Sequence, residues 1–171
     1  MSQSLQMPSR RRSLRAGGLL LAAPFASSVA SSVAGFPAMA SGAGPVADRD
    51  AIDQALARSA ASWNRNDLTG FMAIYEESPT TSYLKGGTVV RGFEAIRSLY
   101  ATRFAKGAAG MGTLSTETLD FRMLGASYAL CIGRFSLRPP GGTGTPASGM
   151  FSLVFHRGPT GWKIVSDHTG S

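Results

Sequence analysis

From Ala47 the apolar positions follow two regimes, a three-and-four spacing up to about Lys106 and a two-residue period after it. Ile52, Ala55, Leu56, Ser59 and Trp63 make one buried face of a first helix, with Asp48 and Asp50 suited to its N-terminus. Asn64 to Asp67 interrupts it. Asp67 then caps a shorter helix that turns Leu68, Phe71, Met72 and Tyr75 inward and stops at Ser78-Pro79. Two short strands, Thr80 to Lys85 and Thr88 to Arg91, turn at Gly86-Gly87. A third helix runs from Gly92 to about Lys106, with Phe93, Ile96, Leu99, Tyr100 and Phe104 on one side. The rest reads as strands: Leu114 to Leu124, with Leu119, Phe121 and Met123 on one face, then Ala126 to Arg138 after Gly125. A Gly/Pro loop spans Pro139 to Pro146, and a last hairpin joins Ser148 to Arg157 with Trp162 to His168.

Helices first and a meandering antiparallel sheet second predict the α+β class, with three N-terminal helices covering one face of a strongly curved antiparallel sheet. At 171 residues, 43% of them hydrophobic, the chain can bury one ordinary core, and a lone Cys131 forms no internal disulfide. Collagenous, disulfide-stapled and disordered classes are excluded. The net charge of +7 suggests nucleic acid until it is located. Arg10, Arg11, Arg12 and Arg15 supply four of the 17 basic residues, so from Ser41 onward 13 basic residues face 10 acidic ones, scattered singly. Phosphate binding needs a clustered patch, and no nucleic-acid partner is expected.

Ser9-Arg10-Arg11-Arg12-Ser13-Leu14-Arg15 precedes 25 uncharged residues, Ala16 to Ala40, that end Ala38-Met39-Ala40. This basic, apolar, small-residue order predicts an export signal over residues 1–40, cleaved between Ala40 and Ser41, a short linker over 41–46 and one domain over 47–171. The twin arginines resemble a twin-arginine signal, with Ser13 where that motif usually has Phe. The rival reading is an uncleaved membrane anchor. Most of the segment is Ala, Ser, Gly or Pro, with Pro24 and Pro37 as breakers, which favours a cleaved signal, a periplasmic or secreted protein and no stable anchor after cleavage.

Three stretches carry a family resemblance. Trp63-Asn64-Arg65-Asn66-Asp67-Leu68-Thr69-Gly70-Phe71 lies between the first two helices, Val90-Arg91-Gly92-Phe93-Glu94-Ala95-Ile96 enters the third, and Phe151 to Phe155 with Gly161 to Thr169 forms the last hairpin. Together they resemble the nuclear-transport-factor-2-like (SnoaL-like) superfamily of cone-shaped, cystatin-like folds that includes ketosteroid isomerases, and within it the SgcJ/EcaC-like branch, over about residues 47 to 170. The resemblance implies a cone with a pocket at its open end and a homodimer. It implies no single chemistry, because the superfamily places isomerases, cyclases, dehydratases and inert association modules on one scaffold.

The ketosteroid isomerase groups can be sought by counting. Tyr83 and Leu84 stand where that family has Asp-Pro, Ser59 where it has a helical Tyr, and Gly149 or Met150 where it has a late-strand acid. None of the three groups is present, so isomerisation by that mechanism is not expected. Asp167 and His168, as neighbours along a strand, project to opposite faces and form no dyad. If Arg157 pairs with Trp162, strict alternation puts Phe155, Leu153 and Phe151 opposite Ile164, Ser166 and His168. His168 then ends an apolar face, either bonded to backbone or lining a pocket, while Asp167 becomes a strand-end or dimer-face charge. In that register His156 and His168 stand roughly 17 Å apart, too far to share an ion, and no metal site or cofactor is expected. Cys131 reads as a small buried hydrophobe. Gly141-Gly142-Thr143-Gly144 joins two strands and leads into no helix, so it is a hairpin loop and not a phosphate cradle.

Trp63, Tyr75, Tyr83, Tyr100, Phe104 and Trp162 are core aromatics by default. The resemblance brings some of them to the cone mouth, where Tyr83, Tyr100 and His168 are the polar-tipped members. Arg97, next to Ile96, either faces that mouth or solvent. The ligand-binding candidates are thus Trp63, Tyr83, Tyr100, Arg97 and His168. The expected function is an exported domain binding a small apolar or aromatic ligand. The alternatives are an acid-base enzyme using His168 with Tyr83 or Tyr100, and a non-catalytic dimerisation module. A cavity of roughly 300 Å³ or more would favour binding, and a cone plugged by aromatic side chains would favour assembly.

Overall fold

The computed structural model describes residues 44–170, apart from the side chains of 108 and 109. The expected export signal over residues 1–40 and its expected cleavage point lie outside the described residues. Helix α1 spans Pro45–Asn64, α2 Leu68–Met72, α3 Phe93–Phe104 and α4 Ala108–Met111. The strands are β1 (Ser82–Lys85), β2 (Thr88–Arg91), β3 (Thr113–Met123), β4 (Tyr128–Arg138), β5 (Ala147–Gly158) and β6 (Gly161–Gly170). They form one curved, unclosed sheet in the order β2-β1-β6-β5-β4-β3, with the helices on its inner face. Among the described residues no helix is long and apolar enough to cross a membrane.

Local chemistry accounts for the helix ends. Pro45 opens α1, where its missing N–H costs nothing, and Asp48 sits in the first turn. Asp48 does more than favour the helix dipole: it is buried, and its carboxylate pairs with Arg157 of β5, whose guanidinium lies 4.6 Å from the centre of the Trp162 ring. Asp67 caps α2 by accepting from the Gly70 N–H at 2.8 Å. Asn64 grips the start of β3 twice, donating to the Leu114 carbonyl at 3.0 Å and accepting from its N–H at 2.7 Å. The Trp63 indole donates to the Gly112 carbonyl at 3.1 Å, fixing the same junction. Short α4 was not evident from the apolar spacing.

Ile52, Met72, Ile96 and Phe155 are at most 1% exposed and mark the centre of the core between helices and sheet. Two glycines let β5 pack tightly here. A side chain on Gly133 would meet the Phe151 ring, and one on Gly149 would meet the Gly170 carbonyl oxygen.

Three features depart from the pattern read along the sequence. The sheet is mixed and not wholly antiparallel, because β1 runs parallel to β6, with Tyr83 beside Asp167 and Leu84 beside His168. The long crossover through α3 between β2 and β3 frees β1 to take this place on the far side of β6. Strand β3 carries a bulge between Thr118 and Asp120, so Leu119 drops out of phase with Phe121 and is 42% exposed. The third departure, in β6, decides the site.

Candidate functional site

Phe155 pairs with Ile164, as strict alternation requires, but the next pair is Val154 with Ser166. Val165 is an extra residue, a β-bulge, and beyond it every side chain changes face. Trp162 and Ile164 point inward before the bulge; Asp167 and Thr169 point inward after it. His168 is therefore turned to the exposed outer face, across from Ser152. This corrects its expected place at the end of the apolar face, and with it the idea that it acts as base or ligand contact. Asp167, expected as a strand-end or dimer-face charge, is 3% exposed on the helix-facing side.

A cavity of about 420 Å³ lies between the helices and the inner sheet face. Leu56, Phe71, Ile74, Phe135, Phe151 and Leu153 supply its apolar walls. Of the residues expected to bind a ligand, Trp63, Tyr83 and Tyr100 line it. Arg97 is exposed and does not, because it lies on the solvent side of α3, one residue beyond buried Ile96. Arg103, six residues further along α3 and so on a different face, does line it, with its guanidinium 5.2 Å from the centre of the Trp63 ring.

The polar part of the cavity gathers around Asp167. Tyr75 Oη donates to Asp167 Oδ2 at 2.5 Å, and Thr169 Oγ1 donates to Oδ1 at 2.6 Å. Tyr83 is the strand neighbour of Asp167, and its ring lies 5.8 Å from that of Tyr100. Tyr100 is 6.4 Å from Tyr75, so three phenols surround one carboxyl. Burial raises the Asp167 pKa above the ordinary carboxylate value, against the Thr169 and Tyr75 hydrogen bonds and the charge of His168, which lower it. Burial and the nearby Asp167 charge push the phenols of Tyr75 and Tyr100 well above 10 and raise that of Tyr83. The tyrosines are thus hydrogen-bond donors at any physiological pH, and Asp167 is a buried carboxyl drawn toward its neutral form.

Cys131 is buried on the inner face of β4, with Sγ 3.5 Å from Thr118 Oγ1. Among the described residues no group of three or more His, Cys, Asp or Glu converges as metal ligands would.

No family model and no curated protein matches this sequence. Solved structures do. An NTF-2 like protein of unknown function from Shewanella oneidensis superposes with a TM-score of 0.67 at 24% identity, over 72% of this chain and 98% of that one. A domain of unknown function with a cystatin-like fold from Nostoc punctiforme gives 0.62 at 23% identity, over 72% and 76%. A ketosteroid isomerase-like protein from Erwinia carotovora gives 0.56 at 18%, over 71% and 93%. The chain has the NTF2-like, cystatin-like fold. At these identities the likeness extends to the fold alone, and the site must be argued from its own residues.

Asp167, Tyr75 and Arg103 are the site residues that reading the sequence did not select. One signal for the first was available: the apolar phase of Trp162 and Ile164 breaks at Val165, as an inserted residue would make it break.

Proposed function

We propose that the cone binds a small, largely apolar organic molecule and orients it by a hydrogen-bonding group facing Tyr83, Tyr100 and Asp167. The observation that carries this reading is the cavity itself: about 420 Å³ of mostly apolar space with a few converging polar groups. An association module has no use for such a void, since filling it would add packing energy. Calorimetric titration with aromatic ketones and alcohols, and native mass spectrometry of the purified protein, test the reading. Saturable binding at one site, lost when Ala147 at the cavity mouth is replaced by Trp, is expected. If neither a panel of such molecules nor the native spectrum yields a bound species, the non-catalytic module is the better account.

A second reading, an acid-base enzyme, is favoured by one observation: the buried carboxyl of Asp167 with phenols beside it. A carboxyl with a raised pKa exchanges protons closer to neutral pH than an ordinary one, and the phenols can donate to a developing oxyanion. Asp167 takes the part that His168 cannot. Deuterium exchange at the carbon next to a ring ketone, followed by NMR, should be accelerated by the protein and not by its Asp167→Asn variant.

The export reading stands as a proposal, supported by the Arg10-Arg11 segment and the Ala38-Met39-Ala40 sequence. N-terminal sequencing from the outer compartment should start at Ser41. Pairing with a second copy is likewise proposed. It is supported by the outer sheet face, where Met150 and Tyr128 are 50% and 44% exposed, and sedimentation should give twice the monomer mass.

A further inference from the structure

We propose that the natural ligand is an apolar organic anion, its acid group held at the cavity mouth by Lys85 and Arg103 and an uncharged polar group held further in by Tyr83, Tyr100 and Asp167. This rests on the ligand-binding reading and specifies the class of ligand.

The charges at the cavity are laid out unequally. Its charged lining residues are Lys85 and Arg103, both exposed at the mouth, and Asp167, buried within. Neither cation is engaged by a carboxylate among the described residues. The ion pairs there belong to Arg49, Arg122, Arg134, His156 and Arg157. Arg103 is also positioned: its guanidinium packs over Trp63, itself part of the cavity lining. The one acid, Asp167, lies deeper, with Tyr75 and Thr169 each donating to one of its oxygens. A ligand entering here meets positive charge first, then apolar walls, then the hydrogen-bonding groups of Tyr83, Tyr100 and Asp167.

The spacing sets a size. Lys85 lies two residues beyond Tyr83 on β1, which along a strand is about 7 Å. A one- or two-ring skeleton bridges that distance with an acid at one end and a carbonyl or hydroxyl at the other. A cation would be repelled at the mouth, and a neutral molecule would gain nothing from it. A guanidinium is suited to carboxylate, sulfonate or phosphate groups, so the class is defined by the anion and not by one acid.

Isothermal titration of the full chain with naphthoate and with acetylnaphthalene compares an anion and a neutral molecule on the same ring system. We expect naphthoate to bind about tenfold more tightly, as one charge-assisted contact would give. Its affinity should fall with added salt while that of the ketone holds. In Lys85→Gln/Arg103→Gln the ratio should drop to about one, and the single Lys85→Gln change, which spares the Trp63 stack, should lower it part-way. Equal or tighter binding of the ketone by the unaltered chain overturns the anion inference and leaves ligand binding standing. A tenfold preference that survives in the double variant overturns the assignment to these two residues. Saturable binding of neither compound overturns both the inference and the reading beneath it.

Discussion

Replacing Asp167 by Asn probes the cavity with the smallest change in shape. Asn has the size of Asp and copies its protonated form: neutral, and still able to accept from Tyr75. Asp167 is 3% exposed, and burial raises its pKa above 3.8 even though Thr169 and Tyr75 donate to it. A carboxyl whose pKa is higher in the folded chain than in the unfolded one holds its proton longer when folded. The stability it contributes is complete below the ordinary carboxylate pKa and is lost as pH rises through the raised folded value. Across that window the wild type should lose stability relative to Asp167→Asn at up to about 1.4 kcal/mol per pH unit, the limit for a single proton. For a domain of this size 1 kcal/mol corresponds to roughly 4 °C in Tm, so the gap should change by up to about 6 °C per pH unit. Thermal melts of both proteins from about pH 3 to pH 8 read this directly, and the difference between them cancels the titration of every shared group. Two curves that run parallel from end to end would refute the desolvation argument. A gap that moves the other way would mean that the hydrogen bonds from Tyr75 and Thr169 outweigh burial.

Phe155, at 0% exposure, sits at the centre of the core, and Phe155→Ala should cost about 3–5 kcal/mol in urea unfolding. Gly133→Ala places a Cβ 2.3 Å from both the Glu117 carbonyl oxygen and the Phe151 ring, so it should destabilise by at least about 1–3 kcal/mol; an unchanged Tm would show that β4 can yield there. Asp48→Ala removes the partner of Arg157, which is itself about a quarter exposed. The loss should be about 2 kcal/mol, below that of a fully buried pair, and visible in chemical denaturation.

Most of the fold was legible because its signals are local. The inward face of α1, the Asp67 cap, the Gly86-Gly87 turn and the hairpin between β5 and β6 each follow from spacing or from one residue's backbone preference. What escaped depends on pairing between distant segments. Nothing in Ser82 to Lys85 tells that strand to lie parallel beside β6, since the choice is made by the crossover through α3. Nor could Arg97 and Arg103 be ranked: both lie on α3, and only the position of Trp63, delivered by α1, shows which of them stands over the cavity.

The chemistry of the site turns on a single inserted residue. Two neighbours, one acid and one imidazole, compete for one inward direction, and strict alternation awards it to His168. The bulge at Val165 awards it to Asp167. The outcome matters because the two groups respond to burial in opposite senses: a buried imidazole loses charge by releasing its proton, a buried carboxyl by keeping it. With His168 inside, the cavity would hold a neutral base; with Asp167 inside, it holds an acid drawn toward neutrality and three phenols that keep their protons. A lining able to donate hydrogen bonds, behind an entrance carrying Lys85 and Arg103, suits ligands rich in acceptor oxygens. That preference follows from a backbone irregularity, so it is invisible to any reading that assumes an unbroken two-residue period.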